Sequence, residues 1–268
     1  MNFKILFSLL TLILIASLPQ LAQEHDRDEE TRNAFLITRK KASRGKSSRP
    51  PVESRQRPAG PLGLGYTLYQ KDGSDKPVRA DLAHEFHAGD AVRLVIESNT
   101  NGYLYVFHAE NDGEPRMIFP DARLNGGDNR ISIHVPYEVP SSQEPDPKFR
   151  WFYFDEKAAT ERLYLVVTRK PLPEVPTSDA LVAYCRTNQG GCPWRPASTI
   201  WNPIAANVNA PTFVSQEQAF GRAQTEVERV AVERGLGLPP DAPAPSVIKV
   251  SSSPKSRMLI AVLDLIHK

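Results

Sequence analysis

Ala91 to Ala109 reads AVRLVIESNTNGYLYVFHA, and the alternation within it points to a β fold. In the first half Val92, Leu94 and Ile96 alternate with Arg93, Val95 and Glu97. A period of two places alternate side chains on opposite faces of a strand, so one face turns inward. In the second half Tyr103, Tyr105 and Phe107 share one face and Leu104, Val106 and His108 the other. A strand apolar on both faces belongs in the middle of a sheet. Asn99-Thr100-Asn101-Gly102 between them reads as a hairpin-type connection, which makes this hairpin the expected centre of a β domain.

Further strands are expected on both sides. Gly65 to Gln70 is strand-like, and Asp72-Gly73 is a turn. Asp112-Gly113 turns into a short strand over Arg116–Phe119, and Asn125-Gly126-Gly127 turns again before Ile131, Ile133 and Val135 alternate with Ser132 and His134. After a Pro-rich loop from Val139 to Pro147 come Phe149 to Phe154 and then Glu161 to Thr168. This spacing predicts a mainly β protein: an antiparallel β-sandwich of about seven or eight strands, with the compact domain over 61–172. Aromatic side chains are numerous, and filling the core is the expected use for most of them.

Residues 173–257 read as a Pro-rich insert with one helix over 215–234. Ser215 and Gln218 have capping-box spacing. Phe220, Ala223, Val227, Val230 and Ala231 share a face at helical spacing. Residues 258–268 are too apolar for a free tail and are read as a terminal strand completing the sheet, with a short helix as the alternative.

The ends of the chain speak to compartment. Residues 1–23 have Lys4, an apolar run from Ile5 to Leu18, and Pro19, the pattern of a secretory signal, with an uncleaved anchor as the alternative. The expected location is therefore exported, periplasmic or extracellular, with no stable membrane span once the signal is removed. No Cys precedes Cys185, which argues against a lipoprotein. Cys185 and Cys192 flank Arg-Thr-Asn-Gln-Gly-Gly and are expected to form a disulfide. A zinc site would need two further ligands, and no His lies near in sequence.

Residues 24–60 read as a disordered basic arm. Asn33 to Ile37 can start a helix, but the following stretch contains Arg39, Lys40, Lys41, Arg44, Lys46, Arg49, Arg55 and Arg57 against the single acid Glu53, with almost no apolar residues. It cannot bury enough surface to offset the entropy of ordering. These eight side chains are the candidate contacts for an anionic partner, the alternative being a solvated linker. The absence of interleaved aromatics weighs against specific nucleic-acid binding.

Catalytic and metal motifs are weak. His84 and His87 lie three apart with Glu85 between, which is not zincin spacing. Glu110, Asp112, Asp121 and Asp128 lie in loops without EF-hand spacing. There is no G-x-S-x-G elbow and no P-loop. No cofactor is expected.

Phe86 to Leu94, Asn101 to Val106, Ile118-Phe119-Pro120, Val139-Pro140 and Glu161 to Val167 together resemble the bacterial family called domain of unknown function 4384, over about 65–172. The resemblance implies an exported accessory β module and assigns no catalytic residue. The reading taken forward is a non-enzymatic binding module of the bacterial cell envelope, its partner an envelope protein or anionic polymer. A hydrolase acting on cell-wall or carbohydrate material, or a regulatory partner of an exported protease or signalling protein, are the alternatives.

Overall fold

The computed structural model describes residues 26–39, 60–188, 192–217 and 219–268. The first half of the opening stretch is strand β4 (Ala91–Ser98) and the second half is β5 (Gly102–Glu110). Their faces divide as the alternation requires. Leu94 and Ile96 of β4 meet Leu104 and Val106 of β5 in one buried cluster. Tyr105 and Phe107 point the other way, into a second cluster.

The two strands nevertheless do not form a hairpin. β4 pairs with β1 (Gly63–Lys71), whereas β5 pairs with β10 (Ala159–Thr168). Residues 99–101 carry the chain from one sheet to the other. Asn99 serves β1 instead of closing a hairpin: Gly63 N donates to Asn99 Oδ1 at 2.7 Å. Ile133 N donates to Asn101 Oδ1 at 2.7 Å. Facing each other across the core, both strands can bury their apolar faces together, which side-by-side pairing would not achieve.

The architecture is mainly β, with two sheets packed face to face. Other strands are β2 (Pro77–Arg79), β3 (Glu85–Phe86), β6 (Arg116–Phe119), β7 (Arg130–Ile131), β8 (Tyr137–Val139), β9 (Phe152–Tyr153), β11 (Thr212–Gln216), β12 (Val247–Ser251) and β13 (Met258–His267). The first sheet runs β11-β12-β1-β4-β8, with β2 beside β1 and β9 beside β4. The second runs β3-β13-β10-β5-β6, with β7 beside β5. Pairing is antiparallel except between β13 and β3. The expected seven or eight strands become thirteen among the described residues. Several of the extra strands are two or three residues long, too short for any periodic pattern.

The helices also differ from the single one expected. Residues 26–39 form α1, at the start of the stretch read as a disordered arm. Phe35 of α1 is fully buried and packs with Ile248 and Val250 of β12. The helix can approach β1 closely because Gly63 and Gly65 lack side chains: a Cβ on Gly63 would lie 2.7 Å from the Phe35 ring. Two further helices, α2 (Ser178–Thr187) and α3 (Ser198–Ala206), belong to the insert and cover Tyr105 and Phe107 on the outer face of the second sheet. The helix expected over 215–234 is only α4, Glu226–Arg234. Ser215 lies in β11, whose pairing with β12 takes up 212–216. The capping box is Thr225 with Glu228: Thr225 Oγ1 accepts from Glu228 N at 3.3 Å, and Thr225 N donates to Glu228 Oε2 at 2.8 Å. No helix among the described residues is long and apolar enough to cross a membrane.

Candidate functional site

Arg39 is the one candidate anionic contact among the described residues, and it does not face solvent. Its side chain is 0% exposed and ion-paired with Glu97 of β4. Its Nη1 also donates to Ala242 O at 3.0 Å. An extended basic arm is therefore corrected at its first member: a guanidinium this buried must be paired, and it holds α1 on the sheet. Lys40, Lys41, Arg44, Lys46, Arg49, Arg55 and Arg57 lie outside the described residues, as does the segment 1–23 read as a signal. Cys185 and Cys192 are bridged, with Cα atoms 5.0 Å apart.

Three of the loop acids have structural partners. Glu110 is paired with Lys157, Asp121 with Arg123 and Asp128 with Arg130. His84 and His87 are exposed on either side of buried Phe86. No group of three His, Cys, Asp or Glu among the described residues is placed to hold a metal ion. His108 forms a chain across the second sheet. Its Nε2 contacts Glu161, and its Nδ1 accepts from Arg116 Nε at 3.1 Å. Both ring nitrogens are thereby occupied, so in this arrangement His108 has no nitrogen free to serve as a general base.

A concave feature lies along the open side of the sandwich, where β6 at the edge of one sheet faces β8 and β9 at the edge of the other. It has a volume of about 490 Å³. Met117, Phe119, Phe149 and Phe152 supply apolar walls, and the Cys185–Cys192 bridge and Pro193 also line it. Pro120 and Pro140 line it too, each following a cis peptide bond. A smaller cavity of about 230 Å³ lies beside it, sharing Ile118 and Phe152 and reaching His108 and Glu161. The smaller one reaches the His108 chain, but the larger has the apolar walls and few polar groups typical of a ligand seat.

Three acids line the larger cleft, and two of them are matched. Asp121 accepts from Arg123 Nη2 at 2.6 Å. Glu138 lies 3.6 Å from Arg93, whose own guanidinium sits 4.1 Å above the Trp151 ring. Burial draws Arg93 below its usual value, and the Glu138 carboxylate opposes that shift. Glu144 is different. Its side chain is 8% exposed, and its Oε2 has no hydrogen-bond partner among the described residues. The Arg123 Nη2 stands 3.9 Å away, and that guanidinium is bonded to Asp121. In sequence the 139–147 loop stands out only as Pro-rich. Nothing local distinguishes Glu144 from any other loop acid, because the walls around it come from β6, β8 and the disulfide loop.

The segment from β3 to β10 carries the main walls of the cleft. Residues 85–171 match the DUF4384 family, described as a domain of unknown function. Comparison with curated proteins finds no match, and comparison with solved structures finds none either. The DUF4384 segment does not contain the whole sandwich. β1, β2, β11 and β12 of the first sheet and β13 of the second lie outside it. The two proline signatures, Phe119-Pro120 and Val139-Pro140, lie inside it and on the cleft.

Proposed function

We propose that the protein is an exported, non-enzymatic binding module of the bacterial cell envelope that seats its ligand in the cleft between β6 and β8. The observation that carries this reading is the cleft itself: a volume of about 490 Å³ with apolar walls, between two sheet edges and lined also by a disulfide. The occupied nitrogens of His108 and the matched loop acids favour binding over catalysis. A disulfide suits an oxidising compartment, in keeping with export.

The basic run 40–59 is proposed as an auxiliary contact for anionic envelope material, now without Arg39. Both of its anchors are firm: Arg39 is buried at one end, and Gly60 O accepts from Arg169 at the other. Deleting 40–59 should weaken such binding at low ionic strength and leave it little changed at high salt.

The cleft reading is tested with a benzophenone side chain placed at Phe149, which is 46% exposed at the cleft, and for comparison at Val227, equally exposed on α4. Irradiation with an envelope fraction should give discrete adducts from position 149 that disappear when Ala122→Trp fills the cleft. Equal labelling from both positions, or adducts indifferent to Ala122→Trp, would overturn the assignment.

A further inference from the structure

We infer that the cleft selects an arginine side chain of a partner polypeptide, with Glu144 as the residue that reads its charge; this rests on the cleft being the ligand seat. The charges within the cleft favour a cation. Asp121 is hydrogen-bonded to Arg123 and Glu138 is ion-paired with Arg93 at 3.6 Å, whereas the buried Oε2 of Glu144 has only the shared Arg123 guanidinium at 3.9 Å and no hydrogen-bond partner among the described residues. An acceptor enclosed in this way is costly until a donor meets it. The aromatic wall has the same preference. The Phe149 ring already has two cations over it, Arg123 at 4.9 Å and Lys148 at 5.8 Å from its centroid.

Arginine fits better than a compact ammonium. Its planar guanidinium can stack on Phe149 while donating to a carboxylate, and its methylene stem suits the apolar wall around Phe119 and Pro140. A polypeptide is favoured over a free small cation because Met117, Pro120 and the disulfide also line the cleft, leaving an apolar surface for a neighbouring side chain. Arg123 is the side chain that must give way. It is 53% exposed, it is the charged group near the Glu144 carboxylate, and a swing about its own stem would open that oxygen to the ligand.

The test is calorimetric titration of the purified protein at low salt with acetyl-Phe-Arg-amide and with acetyl-Phe-citrulline-amide, which has the same shape without the charge. The arginine peptide should bind about tenfold or more tightly. Glu144→Gln should abolish that preference, with thermal melting confirming that the variant is folded. Arg123→Ala should strengthen binding of the arginine peptide. Equal affinity for the two peptides, or a preference that survives Glu144→Gln, overturns the inference. Equal binding that Ala122→Trp blocks leaves the cleft as the ligand seat and removes only its charge selection. A preference for arginine that persists in Ala122→Trp removes both.

Discussion

Arg39 and Glu97 form a closed ion pair 58 residues apart in sequence, with Arg39 Nε donating to Glu97 Oε1 at 2.7 Å and Nη2 to Oε2 at 2.5 Å. His134 Nδ1 lies 2.5 Å from the same Oε1, and Thr38 Oγ1 lies 2.5 Å from His134 Nε2. The side chains of Arg39, Glu97 and His134 are all at most 3% exposed. The pair therefore joins α1 to the sandwich through a site without solvent. Arg39→Ala would leave Glu97 with half its partners, and removing one member of a buried pair costs about 3–5 kcal/mol. Urea unfolding should show a loss of that order. A loss below about 1 kcal/mol, the level of an exposed pair, would mean that α1 is not part of the cooperative fold.

The same cluster sets a dependence on acid. Burial pushes the Glu97 carboxyl upward, but the hydrogen bonds and charges of His134 and Arg39 outweigh it and hold the group below the usual carboxylate range. A lowered folded value contributes stability above the unfolded value, about 4.3 for glutamate, and loses it as pH falls through the folded value. The melting temperature should therefore fall on acidification below about pH 4.3, more steeply in the native protein than in Glu97→Gln. Glu97→Gln should already melt lower at neutral pH, since it leaves Arg39 without its countercharge. Identical acid slopes in the two proteins would remove Glu97 from this role.

Tyr105 is packing rather than binding surface. It is 0% exposed, and its hydroxyl accepts from Leu172 N at 2.9 Å. Tyr105→Ala should cost about 3–5 kcal/mol, as expected for losing a buried aromatic ring. Tyr105→Phe keeps the ring and forfeits the hydrogen bond, so about 1 kcal/mol is expected. Denaturation midpoints distinguish the two; a Tyr105→Ala protein with unchanged stability would contradict the burial.

The disulfide fastens the insert beside the cleft. It links Cys185 in the last turn of α2 to Cys192, a separation of seven residues, next to Trp194, whose carbonyl accepts from Met117 N at 2.8 Å on β6. A thiol assay on unreduced, unfolded protein should find no free thiol. Replacing both cysteines by serine should lower stability by about 2.5 kcal/mol in the chain-entropy estimate for so short a loop. It should also weaken ligand capture at position 149, because the bridge forms part of the cleft wall.

The sequence by itself determined the mainly β class, the inward and outward faces of β4 and β5, and the pairing of two nearby cysteines. Each is local. Alternation with period two places Leu104 and Val106 opposite Tyr105 and Phe107 whatever the partners of the strand are. The resemblance to DUF4384 was legible for the same reason, as short motifs in fixed order. Only the tertiary structure decided what those faces meet. The alternation of β4 and β5 suits a hairpin as well as a crossing between sheets, and the bonds of Asn99 and Asn101 to distant segments go with the crossing. The charge of Arg39 looked like one more member of a solvated run until Glu97 met it across the fold. Glu144 became a candidate contact only when β6, β8 and the disulfide loop enclosed it. Burial and pairing depend on which distant residues are neighbours, and no local pattern carries that information.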